Sequence, residues 1–290
     1  MKIIKGITPT PRRIMLYGEH GIGKGTWASK APGAFFLDIE GGLDNIDCER
    51  TPRLGNVMQV NEALTWVLTA EHDYKTLVVD TVDWLEQFIH KKIVADENNA
   101  KVKSIADIGY GKGYSRAIPI WAWFLSQFES LRTQRKMAII LLSHSKVERY
   151  ESPESESYDR ISPDLHKSSS SMIQEWCDEV LYASTRVYTK KQDEGFNRSR
   201  AVAVGGKERY IRTNESASAI AKNRLALPDE LPLEWQAYAD AVKAFYAQAK
   251  PATVVEPKGA DIAGIVVDGS SKTKADEAYE DLQKQAAEVF

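Results

Sequence analysis

Apolar and polar positions along this chain follow two periods, and the switches between them mark out its elements. Ile14-Met15-Leu16, Ala34-Phe35-Phe36-Leu37, Leu77-Val78-Val79 and Met137 through Leu142 are continuous apolar runs, too short for helices and bounded by glycine or polar residues. Each predicts a buried strand of a parallel sheet. Between them the apolar residues recur at helical spacing. Residues 61–72 do so behind Asn61 as a cap. Val82 to Ile93 places Trp84, Leu85, Phe88 and Ile89 on one face, and Ile118 to Leu131 carries Trp121, Trp123, Phe124 and Phe128. Those aromatics read as core rather than as a base-stacking platform. Strand and helix in alternation predict an α/β fold, a mostly parallel central sheet flanked by helices.

Further along, Ile173 to Ala183 reads as a helix running into a strand. Arg186-Val187-Tyr188, Ala201 to Val204 and Arg209 to Arg212, separated by glycine-containing turns, predict an antiparallel hairpin extension at the far side of the sheet. Residues 95–115, including Gly109-Tyr110-Gly111-Lys112-Gly113, have no strand before them and read as a surface loop. Ser145 to Ser171 is acidic and serine-rich, then basic and serine-rich, and reads as a long mobile loop. A helix over 235–249 closes the expected domain, 1–249. Residues 250–290 have the composition of a flexible linker followed by an acidic amphipathic tail.

Composition adds bounds. A chain of 290 residues accommodates one large α/β domain and a tail. The net charge of -3 hides a segregation. Ten basic residues face four acidic ones between Arg186 and Arg224, and twelve acidic face six basic from Leu225 to the end. The basic stretch suits phosphate backbones, and the tail suits a partner or a competitor for that patch. Two widely separated cysteines, Cys48 and Cys177, have no metal-ligand spacing and suggest a reducing cytoplasm. No secretory leader or membrane span is expected.

The chemistry concentrates in Tyr17-Gly18-Glu19-His20-Gly21-Ile22-Gly23-Lys24-Gly25-Thr26-Trp27, between the first strand and the next helix. Glycines let successive N–H groups turn inward on a phosphate, the helix start adds partial positive charge, and Lys24 reaches the outer phosphates. This is P-loop spacing with one departure. Gly25 stands where a serine or threonine hydroxyl ordinarily contacts Mg²⁺, and Thr26 follows one residue late. Asp80 closes the strand Leu77-Val78-Val79 and is a candidate Mg²⁺ ligand, with Thr26 as a second. Asp38 and Glu40 follow another strand. Either one could orient a water against a γ-phosphate or serve as an ordinary cap or solvated turn. His144 closes the most apolar strand and reads either as a reporter of the γ-phosphate or as an unremarkable polar residue. Arg149, Arg160, Lys167, Arg198, Arg200, Lys207 and Arg209 are candidate contacts to single-stranded DNA, with solvated loop and hairpin faces as the alternative. In Ala221-Lys222-Asn223-Arg224, a basic side chain such as Arg224 could reach a nucleotide held by a neighbouring subunit.

These motifs together resemble the RecA-like P-loop ATPases. More narrowly, they resemble the phage-encoded ATP-binding proteins of the RecA/Sak type, which act in single-strand annealing and recombination. The carriers are Gly18 to Lys24, Phe36 to Gly42, Leu77 to Thr81, Leu141 to His144, Glu175 to Asp178 and Ala221 to Arg224. The resemblance implies ATP and Mg²⁺ as ligands, Glu40 as the residue that activates the attacking water, Asp80 on the metal and His144 as the polar sensor. It further implies single-stranded DNA as partner, head-to-tail homo-oligomers, a single-strand-binding or annealing protein on the acidic tail, and a host bacterial cytoplasm. The Gly-Lys-Gly-Thr loop is also similar to that of nucleoside monophosphate kinases. This leaves a kinase as one alternative and a nucleotide-binding scaffold that does not hydrolyse as another.

Overall fold

A computed structural model describes residues 3–151, 156–193 and 199–255, with the backbone alone over 187–207. Arg198 and the acidic tail therefore lie outside the described residues. In chain order the first elements are β1 (Ile3–Lys5), β2 (Arg13–Gly18), α1 (Lys24–Ala28), β3 (Ala34–Asp38), β4 (Glu49–Arg50) and α2 (Val57–Thr69). There follow β5 (Thr76–Asp80), α3 (Val82–Asp96), α4 (Lys112–Gln134), β6 (Ala138–Tyr150), β7 (Tyr158–Pro163) and α5 (Lys167–Trp176). The last are β8 (Glu179–Asp193), β9 (Ser199–Arg212), β10 (Glu230–Pro232), α6 (Trp235–Gln248) and β11 (Thr253–Val255).

The main sheet runs β10-β9-β8-β2-β6-β5-β3-β4. From β8 to β4 every pair is parallel, whereas β8, β9 and β10 pair antiparallel and make the expected hairpin extension. Strands buried on both faces read as unbroken apolar runs, and their side chains divide by parity. Met15 and Tyr17 of β2, with Ile139 and Leu141 of β6, join the core beneath α2, α3, α4 and α5. Ile14, Leu16, Ile140 and Leu142 join the opposite core beneath α1 and α6, where Trp27, Trp235 and Tyr238 meet edge to face or tilted. The helix aromatics Trp121, Phe124 and Phe128 are core, as their spacing predicts.

Three expectations change. The helix placed at 61–72 begins at Val57, because Asn56 rather than Asn61 is the cap and accepts from the Gln59 N–H at 3.0 Å. The glycine-rich segment before Ile118 is not all loop. Gly111 takes a left-handed φ of 70° and starts α4 there, and Gly113 lets the helix approach the Ile105 carbonyl, which an added Cβ would meet at 2.4 Å. The stretch from Ser145 to Ser171 is not a mobile loop over its described residues. Instead β6 continues past the sheet edge and pairs with β7, opposing Glu148 to Arg160 and Tyr150 to Tyr158, and α5 begins at Lys167. Cross-strand pairs of this kind hold a ribbon together without an apolar alternation to betray it. Within the stretch read as linker, Thr253–Val255 pairs antiparallel with Ile3–Lys5.

Candidate functional site

β2, β3 and β5 end, and β6 leaves the sheet after His144, at one edge, and this brings the candidate residues together. β2 ends in Gly18, where the backbone passes so close to β8 that an added Cβ would lie 2.4 Å from the Ala183 carbonyl. The loop then turns through Gly21 and Gly23, both with left-handed φ, into α1. Lys24 is buried, and its Nζ donates to the carbonyls of Gly18 at 2.9 Å and Glu19 at 3.0 Å. Burial lowers its pKa, against the opposing pull of Asp83, Asp80 and Glu40.

Facing this ammonium are the carboxylates. The N–H groups of Ile39 and Glu40 both donate to the Asp80 carbonyl, at 2.8 and 3.0 Å, tying the turn after β3 to the end of β5. Asp80 is buried. Its pKa is pushed up to about 7, first by burial and then by the charge of Glu40, with Lys24 pulling the other way. Asp38 serves the turn itself, accepting from the Gly41 N–H at 2.7 Å.

His144 lies 3.5 Å from Glu40 Oε1 through its Nε2. Its other ring nitrogen, Nδ1, is 2.8 Å from Asp83 Oδ2, and its backbone N–H donates to Asp83 Oδ1 at 3.0 Å. Burial works to raise the Asp83 carboxyl, but these bonds and the charge of His144 hold it below its ordinary value. The His20 ring stacks on the His144 ring with centroids 3.6 Å apart. Lys24, Glu40, Asp80 and His144, singled out separately from the sequence, thus share one cleft. Asp83 joins them without a sequence motif of its own. Its signal was a carboxylate beside Val82 and Leu85 on a helix whose first turn packs against the sheet.

The metal-binding hydroxyl that Gly25 lacks has no ready substitute in Thr26. Thr26 is exposed and lines a cleft of about 440 Å³ with Gly23, Trp27, Lys30, Arg209 and Trp235, and Asp80 is not part of its wall. Trp27 is itself almost fully buried. A Cβ added at Gly25 would lie 3.9 Å from Asp80 Oδ2, 3.6 Å from Leu43 Cδ2 and 2.9 Å from Ile46 Cδ1. The close neighbour is the end of a flexible side chain, so a serine fits once Ile46 shifts. Gly25→Ser is expected to raise Mg²⁺-dependent ATP turnover by about 10-fold or more, since it sets a hydroxyl beside Asp80. Steady-state phosphate release measures this, and an unchanged rate would mean that the missing hydroxyl does not limit the protein.

Other candidates are dispersed. Arg224 lies 3.3 Å from Asp178, just before β8 and hence at the amino edge of the sheet, away from the P-loop of its own chain. Arg149, Arg160 and Lys167 line a cleft of about 470 Å³ beside the β6–β7 ribbon. There Arg149 pairs with Asp159, Arg160 pairs with Glu215, and the Arg160 guanidinium sits 5.5 Å from the Tyr150 ring centroid. Arg209 lies at the P-loop, its Nη1 3.1 Å from where a Gly23 Cβ would stand. Arg200 and Lys207 are described in backbone only, within β9. No helix among the described residues is long and apolar enough to cross a membrane.

A P-loop closing one strand, an acidic residue closing another, and β6 inserted between them define a RecA-like P-loop NTPase fold. The chain belongs to the AAA domain family, whose profile matches residues 10–225. Among solved structures, the RadB recombinase crystal structure is similar with a TM-score of 0.40 at 10% identity, over 79% of this chain and 90% of that one. No curated protein matches the sequence.

Proposed function

We propose that this protein binds ATP with Mg²⁺ and hydrolyses it in concert with single-stranded DNA, as a phage-type recombination or annealing ATPase. The observation that carries the reading is the convergence of Lys24, Glu40, Asp80 and His144 behind a P-loop at the carboxyl edge of a parallel sheet. The loop backbone and Lys24 hold the phosphates, and Arg209 beside Gly23 adds charge there. The residues also fit a divalent cation: Asp80 and Glu40, with Asp38 nearby, crowd around one ammonium, and burial together with the charges of Glu40 and Asp38 raises the Asp80 carboxyl against the pull of Lys24. Mg²⁺ supplies charge neutralisation at the transferring phosphoryl group, and Asp80 is the residue that would hold it. Glu40 accepts the proton of the attacking water. His144, anchored by Asp83, sits opposite Glu40 and reports on occupancy of the cleft.

β6 links this edge to the DNA reading, because the strand that ends the site in His144 continues into the ribbon flanked by Arg149, Arg160, Lys167 and Tyr150. Bases stacking on tyrosine and phosphates held by arginine are the chemistry that ribbon offers. Arg224 is half exposed at the opposite sheet edge, and in a head-to-tail oligomer it would be the side chain to reach the nucleotide of a neighbour. The deciding experiment measures ATP hydrolysis with and without single-stranded DNA, together with DNA retention as salt is raised. Stimulation several-fold, and retention that weakens with salt and with Arg149→Ala or Lys167→Ala, is the expected result. Hydrolysis indifferent to DNA and no retention at low salt would remove the DNA half of the reading. The side chains packed where a Gly25 hydroxyl would stand favour a second reading, a nucleotide-binding scaffold with little turnover, and Gly25→Ser separates the two.

A further inference from the structure

The arrangement of His144 leaves an electrostatic question that ATP hydrolysis does not answer. Asp83 accepts from the backbone N–H of His144 and lies 2.8 Å from Nδ1, so the ring proton sits on Nδ1. In the neutral ring Nε2 then carries a lone pair, and it points at a carboxylate oxygen of Glu40 3.5 Å away. Two electron-pair donors at that separation repel unless a cation lies between them. The His20 ring stacks on His144 at 3.6 Å and brings a third donor, and the ligand atoms of His20, Glu40 and His144 all lie within 4.8 Å of one another.

We propose that His20, Glu40 and His144 form a binding site for a divalent transition metal of the Zn²⁺ class. The donor set is two imidazoles and one carboxylate, which suits Zn²⁺, Co²⁺ or Ni²⁺ and not Mg²⁺, whose ligands are oxygens. Tetrahedral bonds of about 2.0–2.1 Å place ligand atoms roughly 3.4 Å apart. His144 and Glu40 already stand at that spacing, and His20, on an exposed loop, has at most about 1.4 Å to close and turns out of its stack on His144 to aim a ring nitrogen at the metal. Asp83 supplies the carboxylate behind a ligating histidine that fixes its tautomer and ring orientation. Three protein ligands leave the fourth position open to water or to a phosphate oxygen. The site is separate from the Mg²⁺ position at Asp80 but shares Glu40 with the proposed catalytic apparatus. Metal held there withdraws Glu40 from the attacking water, so Zn²⁺ becomes an inhibitor of turnover.

Binding needs no nucleotide and does not rest on the ATPase reading. The test adds Co²⁺ to the full-length protein without ATP and follows the visible d–d absorption, then displaces it with Zn²⁺. One equivalent is expected to bind, with affinity reduced about 100-fold by His20→Ala and about 10-fold by Asp83→Asn, and unchanged by His72→Ala or Cys48→Ser. His20 lies on the surface, so its variant keeps the wild-type melting temperature, which is checked alongside. Absence of the band, retention of it in His20→Ala, or its loss in Cys48→Ser would each overturn the site. Failure of ATP hydrolysis with the band intact would count against the ATPase reading alone.

Discussion

Glu40→Gln is expected to lower ATP turnover by about 10²- to 10⁴-fold, the range a general base contributes, while leaving ATP affinity close to that of the wild type. Affinity rests on the loop backbone and Lys24, neither of which Glu40 touches. Its own backbone N–H is tied to the Asp80 carbonyl at 3.0 Å, so the amide variant keeps the turn in place. Steady-state phosphate release and equilibrium nucleotide binding separate the two effects. A variant that turns over at the wild-type rate would return Glu40 to the status of a solvated turn residue. The substitution has a second consequence. The charge of Glu40 is one of the causes raising the Asp80 carboxyl, so Glu40→Gln lets Asp80 ionise at lower pH. Mg²⁺ affinity in this variant is expected to persist to lower pH than in the wild type.

Asp80→Asn is expected to move stability and function in opposite directions. Folding moves this carboxyl from an ordinary 3.8 to about 7. Ionised Asp80 is therefore a cost to the nucleotide-free fold, at most about 4.5 kcal/mol when each unit is counted at about 1.4 kcal/mol. The folded state binds the proton more tightly than the unfolded chain, so stability falls as pH rises from about 4 to about 7. The cost is fully present above pH 7 and gone near pH 4. Asparagine removes it. Without Mg²⁺ the variant should be more stable than the wild type at pH 8 by a few kcal/mol, with the advantage shrinking steadily towards pH 4. With Mg²⁺ and ATP the order reverses, because the wild type gains binding free energy that the variant lacks. Denaturant titrations at the two pH values, with and without ligand, read both signs. A variant that is less stable at pH 8, or whose gain ignores pH, would show that Asp80 is comfortable as a carboxylate there.

Much of this was legible in the residues because burial on both faces writes itself as unbroken apolar runs. β2, β3, β5 and the first half of β6 were plain for that reason, and a polar residue closing such a run could only lie at a sheet edge. The P-loop was plain because left-handed turns select glycine. The β6–β7 ribbon was hidden, since its residues are half exposed and its order comes from pairing between strands. The start of α4 was hidden behind glycines that serve a cap and a close approach, not a turn.

By itself the sequence determined the class of fold, the glycine-rich P-loop and the acidic and polar residues that end its strands, since each of these is a local pattern of side chains imposed by backbone geometry. Only the tertiary structure decided which of them meet. Asp83 behind His144, His20 stacked on its ring, Arg209 against Gly23 and Ile46 in the place of a hydroxyl are contacts between elements far apart in the chain. Strand order brings them together, and no local pattern encodes strand order.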